Sequence, residues 1–189
     1  MSQALALSAE RLGCSERTLR RYVNDGLLRG RRVAGRHVEL SASEEAYLGG
    51  HWELLSSLRA ALRTERAVRL AVLFGSTAVG EDEHESDVDL LVVRRDSGPL
   101  SLAGVQLRLA RALGRPVDVV CLEQAEAMPT LLADVIREGR VLIDRDGLWE
   151  SLIDRREEIL ASAEAEERMV ARRARAMVRS ARARSAAAA

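Results

Sequence analysis

Lysine is absent from the sequence. All 29 basic residues are arginine, set against 29 acids, for a formal charge of zero. That usage reads as coding bias rather than function, although a guanidinium does suit bidentate contact with phosphate. Aromatic residues make up only 3% of the chain against 47% hydrophobic residues overall, so any core is built from Leu, Val, Ile and Ala. The two cysteines, Cys14 and Cys121, stand apart with no CxxC pair. This argues against a disulfide framework and fits a reducing, cytoplasmic setting. The opening MSQALALSAERLG lacks a basic n-region and a long apolar stretch, which excludes a signal peptide. No run approaches the roughly 20 apolar residues of a membrane span, so no membrane partner is expected.

What is present divides into modules. The length of 189 residues accommodates one ordinary domain plus a small one. Residues 1–40 hold 8 Arg against 4 acids, residues 66–146 hold 10 against 14, and residues 147–189 hold 9 against 7. A basic head on an acidic middle suggests different partners for the two. In the head, Ser8 and Ser15 are placed to cap two short helices, the second running from Glu16 to about Asp25 and closed by Gly26. Val33, Val38 and Leu40, with a tip at Ala34-Gly35, predict a small β-wing. From Ser43 the apolar positions Leu48, Trp52, Leu55, Leu58 and Leu62 recur at three and four, an amphipathic helix bridging to the middle.

The middle predicts buried strands at 68–74, 87–93 and 117–122, with a helix at 102–113, a second at 128–139 and a short strand at 140–143. The tail at 148–180 reads as one long helix, acidic then basic, as the helix dipole favours. The expected domains are thus 1–48, a linker helix over 43–65, a catalytic domain over 66–146, and a C-terminal helix with a frayed end over 147–189. The expected fold class is α/β (α+β), a small mixed-sheet domain between the head and the long helix.

Chemistry concentrates in GSTAVGEDEHESDVDLLVV, residues 75–93. Gly75-Ser76 follows a strand and opens a helix, where a glycine lets backbone approach a phosphate and free N–H groups hold its oxygens. Asp87 and Asp89 are two apart on a strand and so share a face. Paired carboxylates there repel unless a cation lies between them, and Mg²⁺ prefers such oxygens. Asp118 interrupts a third apolar strand. An acid buried there is costly unless liganded, whereas at a sheet edge it needs no special explanation. If its strand lies beside that of Asp87, the three acids form one cluster able to hold two metal ions.

In this order the residues resemble the minimal nucleotidyltransferases of the DNA polymerase beta-like superfamily, over about residues 66–146. The matching pieces are Gly75-Ser76, Gly80, Ser86-Asp87-Val88-Asp89 and Asp118, followed by LLADVIREGRVLI at 131–143. The resemblance implies NTP binding by Gly75, Ser76, Gly80 and Ser86, with Mg²⁺ (or Mn²⁺) held by Asp87, Asp89 and Asp118. It also implies transfer of a nucleoside monophosphate, usually AMP from ATP, to a hydroxyl. Family members paired with toxins often carry a basic residue just before the second glycine; here Val79 stands there.

The head, over residues 5–48, resembles the winged helix-turn-helix of MerR-type DNA binders through Ser15-x-Arg17-Thr18-Leu19-Arg20-Arg21-Tyr22 and Asp25-Gly26-Leu27-Leu28. The resemblance implies a recognition helix with Leu19 and Val23 inward and Arg17, Arg20 and Arg21 toward duplex DNA. Arg31, Arg32 and Arg36 on the wing would reach phosphates. The wing's usual aromatic is replaced by Val33 and Val38. A head used only for oligomerisation or protein docking is the alternative. His37 on the wing reads equally as a DNA-phosphate contact or a surface strand residue, His84 as a solvated loop residue rather than a nucleotide contact, and Trp52 and Trp149 as packing residues.

Minimal nucleotidyltransferases of this kind resemble antitoxins that adenylylate a HEPN-type toxin, so a partner toxin is expected, with autoregulation through the head and a homodimer joined along the tail helix. The alternatives are a nucleotidyltransferase toxin acting on tRNA and a nucleotide-sensing transcriptional regulator.

Overall fold

The computed structural model describes residues 3–33, 37–83, 86–95 and 99–187. The head consists of α1 (Gln3–Arg11), α2 (Glu16–Asn24) and an antiparallel ribbon of β1 (Gly30–Arg32) and β2 (Val38–Leu40). Ser15 caps α2, its side chain accepting from Thr18 N at 3.1 Å, and Leu19 is fully buried. Arg36 and the expected tip at Ala34-Gly35 lie outside the described residues.

The linker helix α3 (Ala42–Thr64) begins one turn-residue earlier than the apolar spacing suggests, because Ser41 is its cap and accepts from Glu44 N. It is followed by β3 (Val68–Phe74), α4 (Gly75–Val79), β4 (Val88–Arg94), α5 (Pro99–Leu113), β5 (Val117–Cys121), α6 (Leu122–Glu126), α7 (Pro129–Glu138) and β6 (Arg140–Asp144). Four strands form a mixed sheet in the order β5-β4-β3-β6; β3 is antiparallel to β4 and β6, and β4 is parallel to β5.

The side-chain alternation of a strand assigns the two faces. Ala71, Leu73, Val88, Leu90 and Val92 join Leu55, Leu58 and Leu62 of α3 and Val105 and Leu109 of α5 in one core, which continues into the head through Leu48, Leu27 and Leu19. Leu70, Val72, Phe74 and Leu91 form the other core with α7 and the C-terminal helices. Burial on both faces explains why β3 and β4 read as continuous apolar runs rather than alternating ones.

The tail is not one helix. Leu148–Asp154 (α8) and Arg156–Ala187 (α9) are separate, with Arg155 between them. The break lets Leu152 and Ile159 both reach the second core. Of the apolar residues along the tail at which a homodimer is expected to join, Leu152 and Ile159 are buried in the chain's own core, while Val170 and Met177 are exposed.

Candidate active site

The central element of the site is the turn from β3 into α4. Gly75 has φ 71°, a left-handed value that side chains rarely adopt. A Cβ at Gly75 would stand 2.6 Å from Asp89 Oδ2. The glycine therefore serves a close approach of backbone to carboxylate. Ser76 follows in the first turn, half-buried. Gly80 closes α4 with φ 84°, its N–H donating to Ser76 O at 2.9 Å. A Cβ at Gly80 would come 3.0 Å from the Tyr47 ring, so packing against α3 explains this glycine without a nucleotide.

The strand register brings the acids together. Asp89 on β4 pairs with Phe74 of β3 on one side and Asp118 of β5 on the other. Asp87 lies just before β4, two residues from Asp89 and exposed. Thr77 Oγ1 donates to the Asp87 carbonyl at 3.2 Å. Burial, then the charges of Asp118 and Asp87, push the Asp89 carboxyl above its ordinary value. A cost of buried Asp118 does not arise, because β5 is the sheet edge and Asp118 is exposed. Its Oδ1 accepts from Gln106 Nε2 at 3.3 Å.

The donor set suits a divalent cation: oxygen ligands only, and a desolvated carboxylate beside two others with no described group donating to Asp87 or Asp89 side chains. Among the described residues, however, no three acidic, His or Cys side chains form a ready-made metal cluster.

The loop leading to Asp87 is tied down by its own side chains and by two from elsewhere. Ser86 Oγ accepts from Glu83 N at 2.8 Å, and Ser86 O accepts from Arg115. Ser86 thus ties the loop together. Asp82 does not face outward with its acidic neighbours: His51 donates to its Oδ1 at 2.7 Å and Arg115 Nη2 approaches Oδ2 at 3.5 Å. Burial alone would raise the Asp82 carboxyl, but the His51 hydrogen bond and charge, with Arg115, hold it below its ordinary value. His84 lies outside the described residues.

Sequence reasoning missed the layer behind this loop. The His51 ring stacks on Tyr47 at 4.3 Å, and the Tyr47 hydroxyl donates to Thr77 O at 3.1 Å. Burial pushes the Tyr47 hydroxyl pKa up to about 12, so it remains a donor. Glu44, Tyr47 and His51 recur at three and four on α3, a spacing that was visible but lay within an apolar stripe.

On the head, Arg17 and Arg21 are exposed on α2. Arg20 is half-buried and bound to Glu16 one turn back. On the ribbon, Arg31 is exposed and 3.4 Å from Glu39. Arg32 is also exposed and donates to Asn24 Oδ1 at 2.7 Å. A cavity of about 660 Å³ between α2, α3, β6 and α8 contains none of the three aspartates.

Residues 56–147 match the family model described as polymerase beta, nucleotidyltransferase. The match spans just under half of the chain and takes in the C-terminal end of α3 from residue 56, the whole four-stranded sheet and all three acids. This segment is therefore similar to nucleotidyltransferase domains. No curated protein matches the chain by sequence. Among solved structures, a toxin–antitoxin crystal structure with AMP-PNP superimposes with a TM-score of 0.53 at 24% identity, over 64% of this chain and 97% of that one. A crystal structure of the toxin–antitoxin MntA-HepT gives 0.50 at 22% identity, over 65% and 97%. At these identities the likeness is one of fold. Among the described residues, no helix is long and apolar enough to cross a membrane.

Proposed function

We propose that the chain is a nucleotidyltransferase that moves AMP from ATP to a hydroxyl of a partner protein, as the antitoxin of a toxin–antitoxin pair with a HEPN-type toxin. The observation that carries this reading is the cross-strand pairing of Asp89 with Asp118 beneath the Gly75 turn. In the reaction, the acceptor oxygen forms a bond to the α-phosphorus, the bond to pyrophosphate breaks, and the hydroxyl proton leaves. Asp118, exposed at the sheet edge, would take that proton. Asp87, Asp89 and Asp118 would hold Mg²⁺ or Mn²⁺, which when bound neutralises phosphate charge and activates the hydroxyl. Ser76, half-buried in the same turn, would donate to the phosphates. Val79 offers no cation to them.

The solved structures with a similar fold come from toxin–antitoxin crystals, one holding AMP-PNP; they support ATP and a protein partner. Acids at Glu81 and Glu83, both exposed beside the site, disfavour an RNA backbone as acceptor, although Asp82 is already neutralised by its own partners. The head is proposed to bind duplex DNA for autoregulation through Arg17, Arg21 and Arg31, all three exposed. The test is labelled ATP with Mg²⁺, the protein encoded beside this one, and total tRNA together. Label on the protein is expected. Label on tRNA alone would replace this reading with that of an RNA-modifying toxin.

A further inference from the structure

Arg140 is the largest fully buried side chain, 1% exposed at the start of β6. Its guanidinium faces four acceptors: Nε donates to Ala78 O at 2.7 Å, Nη1 to Leu27 O at 3.2 Å and to Glu44 Oε1 at 2.6 Å, and Nη2 to Glu44 Oε2 at 2.9 Å. Its cationic centre lies 3.6 Å from the centroid of the Tyr47 ring. Glu44, 3% exposed, also accepts from Arg29 N at 3.0 Å.

These contacts meet at two places. One is the active-site turn: Arg140 holds Ala78 O and Tyr47 holds Thr77 O, two successive carbonyls of α4. The other is the head's turn after α2, where Leu27 O and Arg29 N are taken by the same ion pair. The backbone adds Val141 N to Gly26 O at 3.0 Å, and Arg29 Nη2 reaches Glu138 O at 2.7 Å.

A buried ion pair is rarely a source of net stability, because desolvation offsets most of its attraction; an apolar pair of equal volume often serves the fold as well. What such a replacement cannot supply is directed hydrogen bonds to two separate turns. We propose that Glu44 and Arg140 are positioning residues: they hold the α4 turn in the geometry that keeps Gly75 over Asp89, and they make the head's 26–29 turn part of the same rigid unit. The head is then a structural part of the transfer site rather than an appended module. For its effect on transfer, this rests on the function proposed above; for its effect on the turn, it does not.

The test is the full chain carrying Glu44→Met together with Arg140→Met, with thermal unfolding to establish folding and amide hydrogen exchange as the main readout. The amides of Gly80 and Glu81, which both donate to Ser76 O, and that of Arg29 are expected to exchange at least about tenfold faster, with the melting temperature near that of the parent. Unchanged exchange at both turns in a folded double variant overturns the proposal. Should the double variant not fold, Arg140→Lys keeps the buried charge but cannot reach Ala78 O and both Glu44 oxygens at once; faster exchange at Gly80 and Glu81 is expected, and unchanged exchange there overturns the positioning of α4. With labelled ATP, the folded double variant is expected to lose kcat more than it raises KM, and Arg140→Lys to recover part of the loss. Absence of transfer by the parent chain would strike the function and leave the exchange result standing.

Discussion

Gly75 passes over Asp89 so closely that a single added carbon at the glycine would lie 2.6 Å from the carboxylate. The turn and the acid therefore define each other's position. Gly75→Ala meets this contact and a left-handed backbone that costs a side chain about 1–2 kcal/mol. The turn must shift, and a displacement near 1 Å at reacting groups lowers rate about a hundredfold. The expected result is a folded protein with transfer reduced by about that factor, measured with labelled ATP. Full activity of the variant would show that the approach is incidental.

The carboxyl of Asp89 is raised by burial and by Asp118 and Asp87. A raised carboxyl means the folded chain binds its proton more tightly than the unfolded one. Stability from that proton is present below the ordinary value and is lost as pH rises through it toward the raised one. At neutral pH, Asp89 is then a charge carried at a cost to the fold. Asp89→Asn is expected to raise the melting temperature by a few degrees, since about 1 kcal/mol moves it about 2–4 °C in a chain of this size. Mg²⁺ is expected to stabilise the parent and not the variant, while the variant transfers no label. A lower melting temperature for the variant at neutral pH would contradict the assignment.

Asp82 behaves in the opposite sense. Although burial opposes it, the hydrogen bond and charge of His51, with Arg115, hold its carboxyl low. Its contribution is present above the ordinary carboxylate value and disappears as pH falls through the lowered one. His51→Phe preserves the stacked ring on Tyr47 but removes the donor. Urea midpoints measured from neutral to acid pH are expected to fall less steeply for His51→Phe than for the parent. Parallel curves would mean that the pair contributes nothing to the fold.

The catalytic segment was readable because its signals are local. Each strand is an apolar run, and an aspartate inside such a run is conspicuous. Gly75-Ser76 and Asp87-Val88-Asp89 lie within fifteen residues of each other. The parallel pairing that sets Asp118 beside Asp89 is not legible in the sequence, since register across a crossover leaves no local mark. Arg140 and Glu44 are separated by 96 positions, and an arginine at a strand start reads as an exposed end. The contacts of Ser86 within its loop and the packing of Gly80 against Tyr47 likewise leave no local mark in the sequence. The break at Arg155 was hidden because both sides of it are helical in composition.

DNA binding by the head is expected to rest unequally on its arginines. Arg17 and Arg21 are exposed on α2, whereas Arg32 is occupied by Asn24 and Arg20 by Glu16. Arg17→Ala should weaken binding to the upstream duplex and reduce the slope of log affinity against log salt by about one, as for a lost phosphate contact. Arg32→Ala should change the slope little and loosen the ribbon against α2 instead. Fluorescence anisotropy across a salt series separates the two. No binding at low salt by the full chain would assign the head wholly to docking.

The outer part of α9 is expected to be covered by a second copy of the chain. Up to Ala163 the helix is anchored in the second core through Ile159 and Ala163. From residue 164 to 178 nearly every position is exposed, including Met169 at 44%, Val170 at 57% and Val178 at 52%. A helix of that length without packing is marginal in water, since most helical stability comes from a buried face. The charges suggest how a copy would cover it. Glu157, Glu158, Glu164, Glu166 and Glu167 precede Arg168, Arg172, Arg173 and Arg175 along the same helix. Two copies laid antiparallel would place the acidic half of each against the basic half of the other, with the apolar positions between them. Such an arrangement also holds two heads at a fixed spacing, as paired half-sites on duplex DNA require. Light scattering is expected to give twice the mass of one chain, falling toward one chain at high salt. A chain ending at residue 167 should scatter as a monomer while its melting temperature stays within a few degrees of the parent's, because the core contacts of α9 lie before that point. A full-length monomer at working concentration, with and without DNA, would refute the pairing and leave the outer helix free for the partner protein.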